Sequence, residues 1–583
     1  MTATARAQSP PTPHTEDRLD SWKEIASYLR RGVRTVRRWE KEEGLPIHRH
    51  LHQRLGTVYA YRNEIDAWWT ARGQNLEQQK DEPKESQLGR WLAPALGTGA
   101  IVALMALAFV LWPSRNPTPP ASPGRIMLAV LPFENLSGTP DHDYFSEGLT
   151  EEMITELGRL HPERLGVIAR TSTMPYKGVN KSASVIAAEL GVDYLLEGSV
   201  RREGDRVRIT TQLIRASDQT HLWAQNYDRD LASALDVQSQ VSRAVAGQIQ
   251  LALEPLQLRR SSATQNPAAH EAALRGRYFL ERRTADGIRS ARDAFERAVR
   301  LDPSYALAYV GLADAHILSV TYADAPAKEA MTRAREAIVK ALELDDELAD
   351  AHAWHGVILA EYDWDWAAAE REFKRAVELS PNFAYAHKLY GEYLSYVGRF
   401  DQAIAEVRLA HQLDPRSIVT TSLVGIVLYR ARRYDEALTE LERAIALDPE
   451  HPMPYLPKGL SLSMKGMPDE AVAALRKGLS LTPESSEMIA QIAYASARGG
   501  RRDEARILLK ELRERSGKGH VSPFLFALVH TGLGEPAAAV DSLEKAYAER
   551  DWLLCVLKTE PIFDPLRADA RFQNLLRRMN FPA

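Results

Sequence analysis

Cysteine is nearly absent from this chain: among 583 residues there is one, Cys555. A lone cysteine closes no intrachain disulfide and excludes any zinc site built on paired thiolates. Charge of one sign is scarce as well. The 74 Lys and Arg residues are offset by 78 Asp and Glu, for a net charge of −4, so contact with nucleic acid requires a local basic patch. Phosphate loops are missing: no GxxxxGK[ST] occurs, and Gly198 and Gly204 do not complete GxGxxG. No Ser/His/Asp arrangement, metal cluster or nucleotide loop stands out, so catalysis, a cofactor and a bound metal are all expected to be absent. Residues 1–17 carry too little apolar content to fold and do not resemble a signal peptide.

The remainder is 45% hydrophobic and 26% charged, an ordinary balance for several folded domains. One run differs. Leu92–Trp112 is 21 residues without a charge, long enough for a hydrocarbon core of about 30 Å. Trp91 and Trp112 flank it, and Arg90 and Arg115 mark its ends. A buried core helix is the competing reading, but polar sequence precedes the run and the Pro-rich tract PSRNPTPPASPG follows it. Arg72, Lys80, Lys84 and Arg90 on one side outweigh Arg115 and Arg125 on the other. The expectation is a single pass through the inner (cytoplasmic) membrane between linkers at 73–91 and 113–125, N-terminus cytoplasmic and later domains periplasmic.

Residues 18–72 read as short helices around a ribbon. Trp22, Ile25, Ala26 and Leu29 share one helix face, with Asp20 or Ser21 as cap. Thr35 can cap a second helix, Val36–Glu43, which Gly44-Leu45-Pro46 ends. His48 to Tyr61 alternates like a strand pair, and Asn63 caps a last helix holding Ile65, Ala67 and Trp68. Two helices joined by a short Gly turn form a helix-turn-helix, and the second carries Arg34, Arg37, Arg38 and Lys41, suited to phosphates and guanine edges. The run Gly32-Val33-Arg34-Thr35-Val36-Arg37-Arg38-Trp39-Glu40 with Gly44-Leu45-Pro46, and Tyr59-Ala60-Tyr61-Arg62 with Glu64-Ile65-Asp66-Ala67-Trp68, resembles the MerR/excisionase group of winged helix-turn-helix domains. That resemblance implies Thr35, Arg37 and Arg38 at the DNA and His48–Arg54 as wing; Arg34, Lys41 and Arg54 complete the expected DNA-binding set. The alternative is a solvated basic face on a protein-binding module. His48, His50 and His52 would share a strand face, but no fourth ligand joins them, so a polar wing edge is expected rather than a metal site.

Residues 126–255 follow an α/β pattern. Met127–Leu131 and Leu165–Ala169 are buried strands, Phe145–Leu160 an amphipathic helix, and Ala183–Leu190 a short one. Val207, Ile209, Thr211 and Leu213 alternate with polar residues in a hairpin through Glu203-Gly204-Asp205; a last strand, Thr220–Asn226, precedes a helix near Leu231–Leu253. Ala129-Val130-Leu131-Pro132-Phe133, Phe145-Ser146-Glu147-Gly148-Leu149-Thr150, Leu196-Glu197-Gly198-Ser199-Val200 and Trp223-Ala224 resemble the TolB-like domain that bacterial proteins place ahead of tetratricopeptide repeats. Glu147, Glu151 and Glu152 at a helix start are expected to serve its dipole rather than catalysis.

From 269 to 550 a period of 34 takes over. Pro381, Pro415, Pro449 and Pro483 mark it, with Ala369, Ala403, Ala437 and Ala471 in frame and Gly356, Gly391, Gly425 and Gly459 on first helices. This is the tetratricopeptide pattern, about eight units of an all-α solenoid, with 551–583 as a cap. Inward first-helix positions include Tyr385, Lys388, Glu392, Ile426, Tyr429, Met453 and Leu456, a mostly apolar wall expected to receive a protein or peptide segment. Packing between neighbouring repeats is the plainer role for some of them. Trp364 and Trp366 are expected to fill the gap between repeats.

The architecture implied is multidomain: a winged helix-turn-helix, one transmembrane helix, an α/β domain and a repeat solenoid. It resembles CadC-type one-component regulators, with DNA bound at 18–72 and a partner sensed across the membrane. A membrane-tethered repeat scaffold without DNA binding is the alternative. A homodimer is expected from two-fold operators, Gly97 and Gly99 leaving room for close helix approach.

Overall fold

A computed structural model describes residues 18–19, 21–29, 36, 39–40, 45–49, 58–69, 125–138, 142–204, 206–230, 234–248, 264, 266–282, 284–322 and 327–582. The chain divides into two compact units, Met1–Asn116 and Pro117–Ala583.

In the first unit, strands β1 (Arg18–Leu19), β2 (His48–Arg49) and β3 (Val58–Tyr61) form an antiparallel sheet in the order β1-β3-β2. Ser21 caps helix Trp22–Tyr28 by accepting the amide of Glu24 at 3.2 Å. Asn63 accepts the amide of Glu64 at 2.9 Å, inside the helical stretch 62–69. Ile25, Ala26, Val36, Trp39, Ala60 and Ile65 make the small core, where Trp39 lies 5.8 Å from Trp68 and 5.5 Å from Trp69. His48 meets Glu64 at 2.6 Å; His50 and His52 lie outside the described residues, among which no group of three or more metal-ligating side chains occurs.

The membrane assignment is corrected here. Among the described residues no helix is long and apolar enough to cross a membrane, and the run 92–112 lies outside them. The physical reason lies in how the described helices are built. Repeat helices such as Ala285–Leu301 turn an apolar face to their neighbours and carry charge on the other, and an apolar one such as Pro523–Leu533 is only 11 residues long.

In the second unit, β4 (Ile126–Val130) pairs in parallel with β6 (Leu165–Val167) and β7 (Tyr194–Glu203). β7, β8 (Arg206–Arg215) and β9 (Thr220–Asp230) continue as an antiparallel meander, and β5 (Glu134–Asn135) adds to β7. The alternation of β4 sends Leu128 and Val130 to one face and Ala129 and Leu131 to the other. Helices Asp143–Arg159 and Ala234–Gln248 cover the first face; Ala183–Leu190 covers the second. Glu147 does not serve the dipole alone: it pairs with Arg170 and Lys177, each at 2.8 Å, while Glu152 pairs with His270 at 2.7 Å.

Helix Pro267–Leu280 opens the repeats and also completes the α/β core, since Leu274 packs into it. A Cβ on Gly148 would stand 2.5 Å from Leu274 Cδ2, so only glycine permits this approach. Eight helix pairs follow one another among the described residues, from Pro267–Leu280 with Ala285–Leu301 to Pro523–Leu533 with Pro536–Ala548. Three consecutive pairs close around a recurring contact: Cβ atoms on Gly391, Gly425 and Gly459 would lie 2.6, 2.6 and 2.3 Å from Val407, Leu441 and Leu475.

Besides the insertion near 321–329, one repeat departs from the period by a single residue. Gly356 and Gly391 are 35 apart, whereas Ala369 and Ala403 are 34 apart. The extra residue is absorbed after helix Ala349–Val357 by a π turn, Ile358–Asp363, ending at Trp364 with φ of 59°. Trp364 and Trp366 do not simply fill a gap between neighbours. Trp364 stacks on Tyr547 at 5.0 Å, and Trp366 stacks on Phe581 at 4.5 Å while donating its indole N–H to the Met579 carbonyl at 2.7 Å.

Candidate partner-binding site

Two borders frame the inner side of the array. On one, the α/β domain rests on turns between repeats. Asn382 donates to the carbonyls of Gly158 at 2.7 Å and Leu165 at 2.9 Å. Ser172 donates to Asp414 at 2.6 Å, and the Ala169 amide donates to the Leu413 carbonyl at 2.7 Å. On the other border runs the C-terminal segment, with 3-10 turns Trp552–Val556 and Pro561–Leu566 and helix Ala570–Arg578. It packs on the last repeat through Phe524 and Phe563, 5.3 Å apart, and also reaches back, where Tyr429 donates to Glu560 and Arg432 pairs with Asp564 at 2.7 Å.

The expected wall residues divide accordingly. Tyr385 and Lys388 are half-buried and meet: the ammonium lies 4.1 Å from the Tyr385 ring centre, and Trp354 lies 5.4 Å from the same ring. Glu392, Ile426, Met453 and Leu456 are also half-buried. Tyr429 is only 1% exposed, beneath Glu560. Arg34, Thr35, Arg37, Arg38, Lys41 and Arg54 of the expected DNA set lie outside the described residues.

Between the borders lies a polar floor, of which sequence reasoning had singled out only Glu392. Glu361, on the π turn, accepts from the Tyr396 hydroxyl at 3.1 Å. Burial, and then the charge of Glu392, pushes the Glu361 carboxyl up to about 8. Burial and the nearby Glu560 push Glu487 up to about 7, and burial raises Glu560 as well. Arg430 is the cation these carboxylates share electrostatically, yet it donates to Ser395 Oγ at 2.9 Å and lies 5.1 Å over the Tyr396 ring. Cys555 is fully buried here, its thiol pushed up by burial and by Glu361. The one signal that pointed to Glu361 was the extra residue in its repeat, since an insertion inside a helix forces a π turn and re-aims its side chains.

Comparison with known proteins adds to this geometry. Residues 124–243 match the family described as HilA/YgeH-like transcriptional regulator, second domain. The chain carries a HilA-like regulator domain. It also carries tetratricopeptide repeats, matched over 279–332 and 422–451. The expectation of a TolB-like domain over 126–255 thus meets a family of a different description. Putative adenylate cyclase 3 of Rhizobium meliloti (strain 1021) is 38% identical over 196 residues, 33% of this chain and 33% of its own. Transcriptional regulator HilA of Salmonella typhimurium is 24% identical over 297 residues, 50% of this chain and 51% of its own. The chain spans from about a third to about half of the length of these curated relatives. Among solved structures, Pseudomonas aeruginosa pilF is 20% identical, covering 36% of this chain and 92% of its own with a TM-score of 0.29. MamA is 25% identical, covering 28% and 95%, with a TM-score of 0.24.

The expectation that this chain is not an enzyme is corrected by the first relative, whose name is that of a cyclase. That expectation leaned on missing phosphate loops, but GxxxxGK[ST] and GxGxxG report only backbone cradles for phosphates, and many sites hold phosphates with side chains and metal ions.

Proposed function

We propose that this protein is a transcriptional regulator in which residues 18–72 bind DNA and the repeat array receives a protein or peptide partner. The observation that carries the reading is the regulator-family match over 124–243, lying between the N-terminal head and the repeats. The head supports it: Val36 and Trp39, three apart, are buried in its core, as the inner face of a MerR-like recognition helix requires. Arg34, Thr35, Arg37, Arg38 and Lys41 on that segment, with Arg54 of the wing, are the proposed DNA contacts. Tyr385, Lys388, Glu392, Ile426, Met453 and Leu456 are the proposed partner contacts, and Tyr429 holds the groove's C-terminal border.

The test uses the full chain with labelled promoter fragments at low and moderate salt. Arg37→Ala/Arg38→Ala should weaken binding at least ~10-fold and flatten its salt dependence. No DNA binding by the unaltered chain at low salt overturns the regulator reading and leaves a repeat scaffold.

A further inference from the structure

The groove between the α/β border and the C-terminal border is not electrically balanced. Glu361, Glu392, Glu487 and Glu560 converge on one guanidinium, Arg430, with Lys388 as the other cation in reach. Arg430 spends its hydrogen bond on Ser395 rather than on a carboxylate. Among the described residues, no ion pair within 4 Å joins Arg430 to any of the four, and Glu392 and Glu487 have no such partner at all. The carboxylates are half-buried apart from Glu560, which is 6% exposed, so they are crowded by protein while three still touch solvent.

A second observation is independent of charge. Ser422 is 0% exposed and Gln491 is 5% exposed, and Ser422 Oγ and Gln491 Oε1 have no hydrogen-bond partner. Ser422 lies one helical turn from Ile426 and two from Arg430; Gln491 lies one turn from Glu487. Both therefore share the helix face that lines the groove. A buried acceptor left without a donor costs about 1–3 kcal/mol, and a ligand bearing N–H donors recovers it.

We propose that the groove takes a lysine- or arginine-bearing segment of a partner protein, its cationic groups against Glu361, Glu392 and Glu487 and its amide donors toward Ser422 and Gln491. This rests on the reading of the array as a partner-binding surface and names the partner's chemistry. Apolar side chains of the segment pack on Tyr385, Ile426, Met453 and Leu456, which makes it amphipathic and basic. The raised Glu361 and Glu487 carboxyls express the same imbalance: burial and neighbouring carboxylates outweigh the attraction of Arg430.

The experiment is fluorescence anisotropy with the full chain and three short labelled peptides, alternating Leu-Lys, Leu-Ser and Leu-Glu. The Leu-Lys peptide should bind at least about tenfold tighter than Leu-Ser, and its affinity should fall as salt rises from about 0.05 to 0.5 M. Glu361→Gln/Glu487→Gln should abolish that preference without weakening Leu-Ser. Equal binding of Leu-Lys and Leu-Ser to the unaltered chain overturns the basic preference while leaving the groove as a docking site. Binding of none of the three overturns the groove reading itself. Both comparisons use the unaltered protein, so neither depends on the variant folding.

Discussion

Asn382, in the turn between two repeats, holds Gly158 at the end of the long α/β helix, donating one side-chain amide to the carbonyls of Gly158 and Leu165. The same side chain accepts from Arg125, where the chain enters the α/β domain. A single amide therefore joins the repeat array, the α/β helix and the domain's first residues. Asn382→Ala removes the side-chain donor from the Gly158 carbonyl and leaves Leu165 only the Arg125 guanidinium at 3.5 Å, and should cost about 1–3 kcal/mol. Urea unfolding followed by tryptophan fluorescence measures it; a midpoint unchanged from the parent would show that the seam bears no load.

Trp366 closes the array on itself through Phe581 and the Met579 carbonyl. Phe581→Ala removes the stacked ring and should lower stability by about 1–3 kcal/mol. It should also shift Trp emission to the red as water reaches the indole. Limited proteolysis should then cut first near the C-terminus, where the strut has been released.

The pair His352 and Glu372, 2.6 Å apart, makes stability depend on pH. Burial lowers the imidazole pKa, but the hydrogen bond with Glu372 prevails and raises it above its ordinary value. Burial raises the Glu372 carboxyl, but hydrogen bonds from His352 and His355 prevail and bring it to about 2. The raised imidazole contributes fully below about pH 6.5 and loses its contribution as pH climbs through the folded value; the depressed carboxyl contributes fully above about pH 4.5 and loses it on acidification. The stability difference between the parent and Glu372→Gln should thus be greatest near pH 5–6 and shrink on either side. A difference flat from about pH 5 to 9 would count against the pairing.

Gly425 faces Leu441 so closely that an added Cβ would stand 2.6 Å from Leu441 Cγ. Gly425→Val should destabilise the array by about 1–3 kcal/mol, since the two helices cannot separate without disturbing neighbouring repeats. Hydrogen exchange should show the loss concentrated in Ile418–Leu447 and the adjoining pairs. Uniform loss over the whole chain would contradict a nearest-neighbour solenoid.

Much of the repeat array was legible because one local contact recurs. Gly391, Gly425 and Gly459 each meet a large side chain on the second helix of their own repeat, so the sequence must repeat at the same interval. The buried strand at Met127–Leu131 and a cap at Asp20 or Ser21 were legible for the same reason, since each depends on residues a few positions away; Asn63 instead falls inside its helical stretch. Tyr429 shows the boundary. Its spacing marks it as a wall residue, yet the structure buries it under Glu560, 131 positions on. The membrane placement failed differently: it weighed the length and composition of one run, 92–112, while no described helix is long and apolar enough to cross a membrane.

Of the polar floor, the sequence marked only Glu392, by its place on the inner wall, and the convergence of the four carboxyls lay beyond it. Glu361, Glu392, Glu487 and Glu560 stand in four different segments, and no spacing rule relates them. By itself, the sequence determined the helix pairs, their period and the one inserted residue, because those arise from contacts within a repeat. Only the tertiary structure decided which part of the inner wall stays open and what charge it carries. That depends on how far the array curves, and so on where the C-terminal segment and the α/β domain come to rest against repeats distant from them in the chain.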